Sequence, residues 1–169
     1  MAIIRGERTE DASQIHDVNE LAFGQPAEAD LVDKLRKASP EALSLVADDG
    51  GEIVGHILFT PVVIDGSRVR GMGLAPLAVR PDRQRQGVGS QLIKRGLDQL
   101  REQGYAFVVV VGHPEYYPRF GFEPASKHGL LSQWEGMPDT TFMVLVLDAV
   151  AMVGASGVAR YRDEFNEVA

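Results

Sequence analysis

Between Leu77 and Ser90 the chain reads LAVRPDRQRQGVGS, and Gln84, Gly87 and Gly89 stand within it at Q-x-x-G-x-G spacing. The stretch reads as a strand end (Leu77, Ala78, Val79), a turn built on Pro81, and a loop through Gln84, Arg85, Gln86, Gly87, Val88, Gly89 and Ser90 that opens an amphipathic helix. Such a loop can turn several consecutive backbone N–H groups toward one anion at a helix N-terminus. Glycines without Cβ let the backbone approach a pyrophosphate closely. The chemistry this predicts is phosphate cradling. The spacing is short, and a dinucleotide fingerprint would require G-x-G-x-x-G after the first strand.

Charge points to the same place. The chain carries a net charge of −7, and its first fifty-two residues hold twelve acids against five bases. Around the loop the balance reverses: Arg80, Arg83, Arg85, Lys94 and Arg95 surround it, with Asp82 opposing them. One basic locus in an acidic protein predicts a discrete anionic ligand and argues against nonspecific nucleic-acid binding. The bland alternative is a solvated, charged helix face.

The remaining elements must hold this loop in place. Ala2 to Arg5 is a short strand candidate. Thr9 can cap a helix with Glu10 and Asp11 in its first turn, Ile15, Val18 and Ala22 lying on one face. A second helix opens with Pro26 in its first turn, buries Leu31 and Leu35, and ends at Ser39-Pro40. Leu43 to Ala47 and Ile53 to Thr60 flank Asp48-Asp49-Gly50-Gly51, a hairpin signal, and Val62 to Ile64 continues the second strand. Arg68 to Val79 is a further strand interrupted by Gly71, Gly73 and Pro76, which mark a bulge, a close backbone approach or a strand splaying from its neighbour. After the loop, Val88, Leu92, Gly96, Leu97 and Leu100 line a helix ending near Gly104. Phe107 to Val111 is a β-branched run expected as a buried central strand, parallel to its predecessor if the helix is a crossover. Tyr116 to Phe120 reads as a short helix, Phe122 to Pro124 and Thr141 to Leu147 as strands, and Tyr161 and Phe165 as anchors of a mixed tail from Asp148 to Ala169.

Composition bounds the class. A chain of 169 residues with 44% hydrophobic and 24% charged residues suits a single globular α/β domain spanning 1–169, its tail packed on the domain. No run of about 18 apolar residues suggests a membrane span, and MAIIRGERTED lacks the apolar core of a signal peptide. With no cysteine, disulfides, thiolate metal sites and a Cys nucleophile are excluded. The four histidines, His16, His56, His113 and His128, are scattered without ligand spacing, so no metal is expected. A cytoplasmic, bacterial-style protein is the expectation.

The order of these features, with LAVRPDRQRQGVGSQLI, a helix, a VVVV strand and then YYPRFGF, resembles the GNAT N-acetyltransferase superfamily, in its small bacterial branch. The combination of the loop, its strand Leu77-Ala78-Val79 and the Tyr117, Gly121, Phe122 spacing carries the resemblance over nearly the whole chain, most weakly after Asp148. It implies a central mixed, mostly antiparallel sheet flanked by helices, with acetyl-CoA as donor. The backbone of Leu77, Ala78 and Val79 would pair with the pantetheine arm. Residues Gln84 to Ser90 would supply N–H donors to the pyrophosphate, and Arg83, Arg85 or Lys94 would meet the outer phosphate. The reaction implied is direct acetyl transfer to a primary amine of a small molecule or a protein, with Tyr117 as the acid for the departing CoA sulfur. Packing against neighbouring aromatics is the structural alternative for that tyrosine. Glu28, His56 and His113 are candidate bases, and a water chain would leave no trace in the sequence. Relatives carry an Asn after the central strand, whereas Val111-Gly112-His113-Pro114-Glu115 has none. A noncatalytic acyl-CoA-binding sensor or scaffold would share the cradle without needing Tyr117, and a nucleotide-binding domain with another chemistry would share the anion loop alone. The acidic N-terminal part favours a cationic acceptor, and pairing through the last strands or the tail would give a homodimer.

Overall fold

The structure, a computed structural model, describes residues 1–168; Ala169, the end of the expected tail, lies outside the described residues. Nine strands form a mixed sheet, accompanied among the described residues by three α-helices, and the chain divides into two compact units.

The first unit comprises residues 1–60, 75–97 and 164–168. Strand β1 (Ile3–Gly6) leads to a single 3-10 turn at Thr9–Asp11 and then helix α1 (Ala12–Phe23). The expected Thr9 cap does not form, because Asp11 takes the N-cap position. Its carboxylate accepts the Arg8 N–H at 2.7 Å and the Arg5 guanidinium at 2.7 and 3.0 Å. Charge-assisted bonds of that kind outweigh what a threonine hydroxyl offers. Helix α2 (Ala27–Ala38) starts one residue after Pro26, which is its N-cap rather than part of the first turn, and buries Ala29, Leu31, Val32 and Leu35.

Strands β2 (Leu43–Asp49) and β3 (Glu52–Ile64) form the predicted hairpin, with Asp49 opposite Glu52 and β1 antiparallel on the other edge of β2. The two-residue loop needs positive φ at both positions, and Gly50 and Gly51 supply 62° and 96°. Strand β4 (Gly71–Val79) delivers its last five residues to this unit, and α3 (Val88–Glu102) starts in it.

The second unit comprises residues 61–74 and 98–163. Here β5 (Phe107–Val111) pairs in parallel with the start of β4, from Gly71↔Phe107 to Leu74↔Val110. Phe107, Val108, Val109 and Val110 are no more than 1% exposed, as a run buried on both faces requires. The glycines of β4 permit close approach rather than a bulge. A Cβ on Gly71 would stand 2.1 Å from the Phe107 ring, and one on Gly73 would stand 2.6 Å from Tyr161. The β4–β5 register ends at Leu74, two residues before Pro76, where a strand residue has no N–H to donate.

Strand β6 (Glu123–Pro124) is antiparallel to β8 (Phe142–Val146), which is antiparallel to β5. Two short strands, β7 (Leu130–Ser132) and β9 (Gly157–Arg160), were not anticipated from the sequence; they pair in parallel with each other, and β9 also pairs with Val63 and Ile64 of β3. Tyr161 and Phe165 are buried at 6% and 5% exposure, as expected of anchors. Among the described residues no helix is long and apolar enough to cross a membrane.

Candidate functional site

The loop after β4 is built from backbone geometry. Arg80 continues the strand's hydrogen bonding by donating its N–H to Val54 O at 2.9 Å. Pro81–Arg83 then make a 3-10 turn, and Gln84 returns to extended backbone while its side-chain amide donates to Val79 O at 3.1 Å. Arg85 follows with φ of 65°, the one non-glycine at positive φ among the described residues, and Gly87 has φ of 85°. Alternation between ordinary and left-handed residues turns successive N–H groups inward, the geometry of an anion-binding nest.

The Gly87 carbonyl accepts the first rung of α3 from Gln91 at 3.0 Å, so Val88, Gly89 and Ser90 occupy the first helical turn. Their N–H groups precede the intrahelical ladder and point out of the helix with the positive end of its dipole. A Cβ on Gly87 would meet nothing within 4 Å, so the concavity opens to solvent. Geometry and field both suit an anion.

Two glycines that the sequence reading did not single out for this purpose fix where α3 starts. A Cβ on Gly55 of β3 would stand 2.8 Å from Val88 and 3.1 Å from Leu92, and one on Gly96 would stand 2.4 Å from the Phe59 ring. The helix therefore lies directly on β3, with Val88, Leu92, Gly96, Leu97 and Leu100 buried. A glycine on the buried face of a predicted helix was the available signal.

The basic locus is smaller than its sequence suggests. Arg80 pairs with Glu52 and with Asp82, and Arg83 donates to Asp49 at 2.6 Å. Both acids beyond Asp82 come from the ends of the β2–β3 hairpin. Arg83 thus tethers the loop to the hairpin through Asp49. Among the described residues, Arg85, Lys94 and Arg95 are exposed and without an ion-pair partner, and they form the cationic side of the loop.

In the second unit, Tyr117 opens a 3-10 turn (Tyr117–Phe120) and is 8% exposed. Its ring meets Tyr116 and Phe122 edge-on, at centroid distances of 5.1 and 5.7 Å. Gly112, the residue after β5, carries the ring on its Cα face, where a Cβ would lie 2.2 Å from it. Burial pushes the Tyr117 hydroxyl well above the usual phenol range, and Tyr116 adds to this, so at neutral pH it holds its proton. The aromatic packing is present as anticipated. His113 is exposed, and its backbone carbonyl accepts the N–H groups of Tyr116 and Tyr117.

The two other catalytic candidates lie in the first unit. Glu28 is half-buried in the first turn of α2, where Gln25 Nε2 donates to its carboxylate at 2.9 and 3.2 Å. His56 is a correction. It is 0% exposed, and both ring nitrogens are engaged. The tautomer follows from its partners. Ser44 Oγ lies 2.6 Å from Glu7 Oε1, and an ionised carboxylate only accepts, so the hydroxyl donates there. His56 Nε2–H must then donate to Ser44 Oγ at 2.9 Å, leaving Nδ1 to accept from Asn19 Nδ2 at 3.1 Å. Burial pushes its pKa down to about 4. Such a ring is a structural strut with no lone pair facing solvent.

Metal ligation was not expected, yet α1 and α2 bring His16, Asp30 and Asp33 together, with ligand atoms within 4.8 Å of one another. The grouping forms across two helices and leaves no trace in histidine spacing. His16 Nδ1 lies 2.8 Å from Asp33 and Nε2 3.3 Å from Glu20, while Arg36 also donates to Asp33, so the cluster is an ion-paired network.

Comparison with known proteins agrees with the geometry of the loop. The family described as Acetyltransferase (GNAT) domain matches residues 4–125. An uncharacterized N-acetyltransferase of Escherichia coli K12, YhbS, is 41% identical over 165 residues, covering 97% of this chain and 98% of that protein. The crystal structure of the E. coli GNAT family N-acetyltransferase YhbS in complex with CoA superimposes with a TM-score of 0.92 at 40% identity, covering 98% of this chain and 92% of the other. A GNAT family acetyltransferase from Brucella melitensis, in complex with acetyl-CoA, does so with a TM-score of 0.80 at 36% identity, covering 98% of both chains. A family match over most of the chain, full-length relatives and an anion nest at a helix N-terminus converge: the chain belongs to the GNAT acetyltransferase family.

Proposed function

We propose that the chain is an acetyl-CoA-dependent N-acetyltransferase that passes the acetyl group directly to a primary amine, acting as one domain over residues 1–169. The observation that carries this is the nest from Gln84 to Ser90, with Arg85 and Gly87 in left-handed backbone at the start of α3. Its N–H groups bind the pyrophosphate, and Arg85, Lys94 and Arg95 meet the outer phosphate. The backbone of Leu77, Ala78 and Val79 pairs with the pantetheine arm, and an N–H near Leu77 steadies the oxyanion.

In the reaction the neutral amine nitrogen attacks the thioester carbonyl carbon. The C–N bond forms, the C–S bond breaks, and the sulfur leaves with a proton from the Tyr117 hydroxyl. The amine's surplus proton passes to Glu28. A tyrosine held protonated by burial is the correct acid form at neutral pH. The acidic N-terminal part favours a cationic acceptor, and the same reading assigns the enzyme to the cytoplasm and to a homodimer.

The test is thiol release from acetyl-CoA over a panel of amines, with wild type and Tyr117→Phe. General-acid loss lowers kcat by about 10²-fold or more while KM for acetyl-CoA stays unchanged. Equal turnover by the two proteins removes Tyr117 from the mechanism, and CoA binding without turnover on any amine removes the enzyme reading.

A further inference from the structure

The first unit holds a cavity of about 310 Å³ that shares no lining residue with the loop after β4. It lies where α2 ends, beside the end of β1 and the start of β2. Val32, Pro40, Leu43 and Leu58 give it an apolar wall. Its polar end is an ion pair: Arg36 Nε donates to Glu7 Oε2 at 2.6 Å, and Nη2 donates to Oε1 at 3.3 Å.

This pair is built but not saturated. A guanidinium carries five N–H donors, and Arg36 uses two on Glu7 and one, at 3.0 Å, on Asp33. The Glu7 carboxylate offers about four acceptor positions. Three are filled, two by Arg36 and one by Ser44. Arg36 and Ser44 hold Glu7 ionised against its burial. One anion with a spare lone pair and one cation with spare N–H groups thus stand side by side against an apolar wall. A second buried polar group lies at the same cavity: Ser39 is 2% exposed, and its hydroxyl has no hydrogen-bond partner among the described residues.

We propose that this cavity binds a free apolar α-amino acid. Its ammonium sits on Glu7, its carboxylate on Arg36, and its side chain against Val32, Pro40, Leu43 and Leu58. Laid antiparallel on the Glu7–Arg36 pair, a zwitterion makes four charges alternating in sign, so neither protein charge loses its partner. A simple amine or a simple carboxylate uses only one of the two spare positions, on Glu7 or on Arg36, whereas a zwitterion uses both. The volume accommodates a side chain such as that of leucine or methionine.

The experiment is calorimetry on the full chain with L-leucine, L-methionine, N-acetyl-L-leucine and L-leucinamide, without any CoA species present. The free amino acids bind, and masking either charge weakens binding about tenfold or more, the usual worth of a charge-assisted hydrogen bond. Ala42→Trp, which fills the cavity from its rim and leaves Glu7 and Arg36 in place, abolishes binding while CoA affinity is retained. Absence of heat with both free amino acids overturns the proposal, as does equal binding of the masked compounds or an undiminished affinity in Ala42→Trp. Because donor binding is measured separately, failure here leaves the acetyltransferase reading standing.

Discussion

His56 shows how a residue type with the right solution chemistry can be assigned to structure by its surroundings. Its unperturbed titration range made it a candidate base, but burial drives its pKa down to about 4, and Asn19 and Ser44 hold it in one tautomer. The consequence is a pH signature. The unfolded chain binds this proton near pH 6.5 and the folded chain only near pH 4, so the unfolded state carries more protons between those values. The stabilisation is therefore complete above pH 6.5 and is lost as pH falls toward 4, an effect on the order of 3 kcal/mol. His16 has the opposite sign. Asp33, and less strongly Glu20 and Asp30, raise its pKa, so its contribution is present below 6.5 and fades as pH rises through the folded value. Urea titrations of wild type and His56→Gln from pH 4 to 7 separate the two. The rise in stability with pH should flatten in His56→Gln. An unchanged slope would show that His56 carries no linked proton. The sequence named both histidines, but the partners that fix them, Asp33 for His16 and Asn19 and Ser44 for His56, lie 12 to 37 positions away and could not be read from it.

At the level of elements, what could be read was what depends on local pattern. The Gly50-Gly51 hairpin, the β-branched run of β5 and the glycine-terminated α3 each announce themselves in a few residues, and each forms where expected. The elements that escaped, β7 and β9, are three and four residues long and exist because they pair with each other and with Val63 and Ile64. Arg80 and Arg83 escaped for a related reason, since their partners Glu52 and Asp49 arrive from the hairpin. The placement of α3 yields a prediction in which two effects compete. Gly96→Ala gains about 1 kcal/mol of helix propensity, whereas overpacking a rigid core costs about 1–3 kcal/mol. The new Cβ would sit 2.4 Å from a Phe59 ring that is 0% exposed and has nowhere to go, so the clash wins. Chemical denaturation should show Gly96→Ala less stable than wild type. A more stable variant would mean that α3 does not rest on β3 as described, and the loop it positions would lose its support.

For the whole molecule, the net charge of −7 contrasts with the exposed cations Arg85, Lys94 and Arg95 around the loop after β4. Family membership over residues 4–125 gives the chain an acetyltransferase fold. If backbone from Gln84 to Ser90 cradles the CoA pyrophosphate, as proposed, Gly87 is the position at which a side chain intrudes most directly. A valine there must adopt φ of 85°, strained for a β-branched residue, and its side chain enters the open concavity. The direct measurement is calorimetric titration of CoA into wild type and Gly87→Val, with circular dichroism confirming that both are folded. Wild type should bind CoA clearly and a folded Gly87→Val should not bind it. Equal affinities, or no binding by wild type, would contradict the proposed cradle.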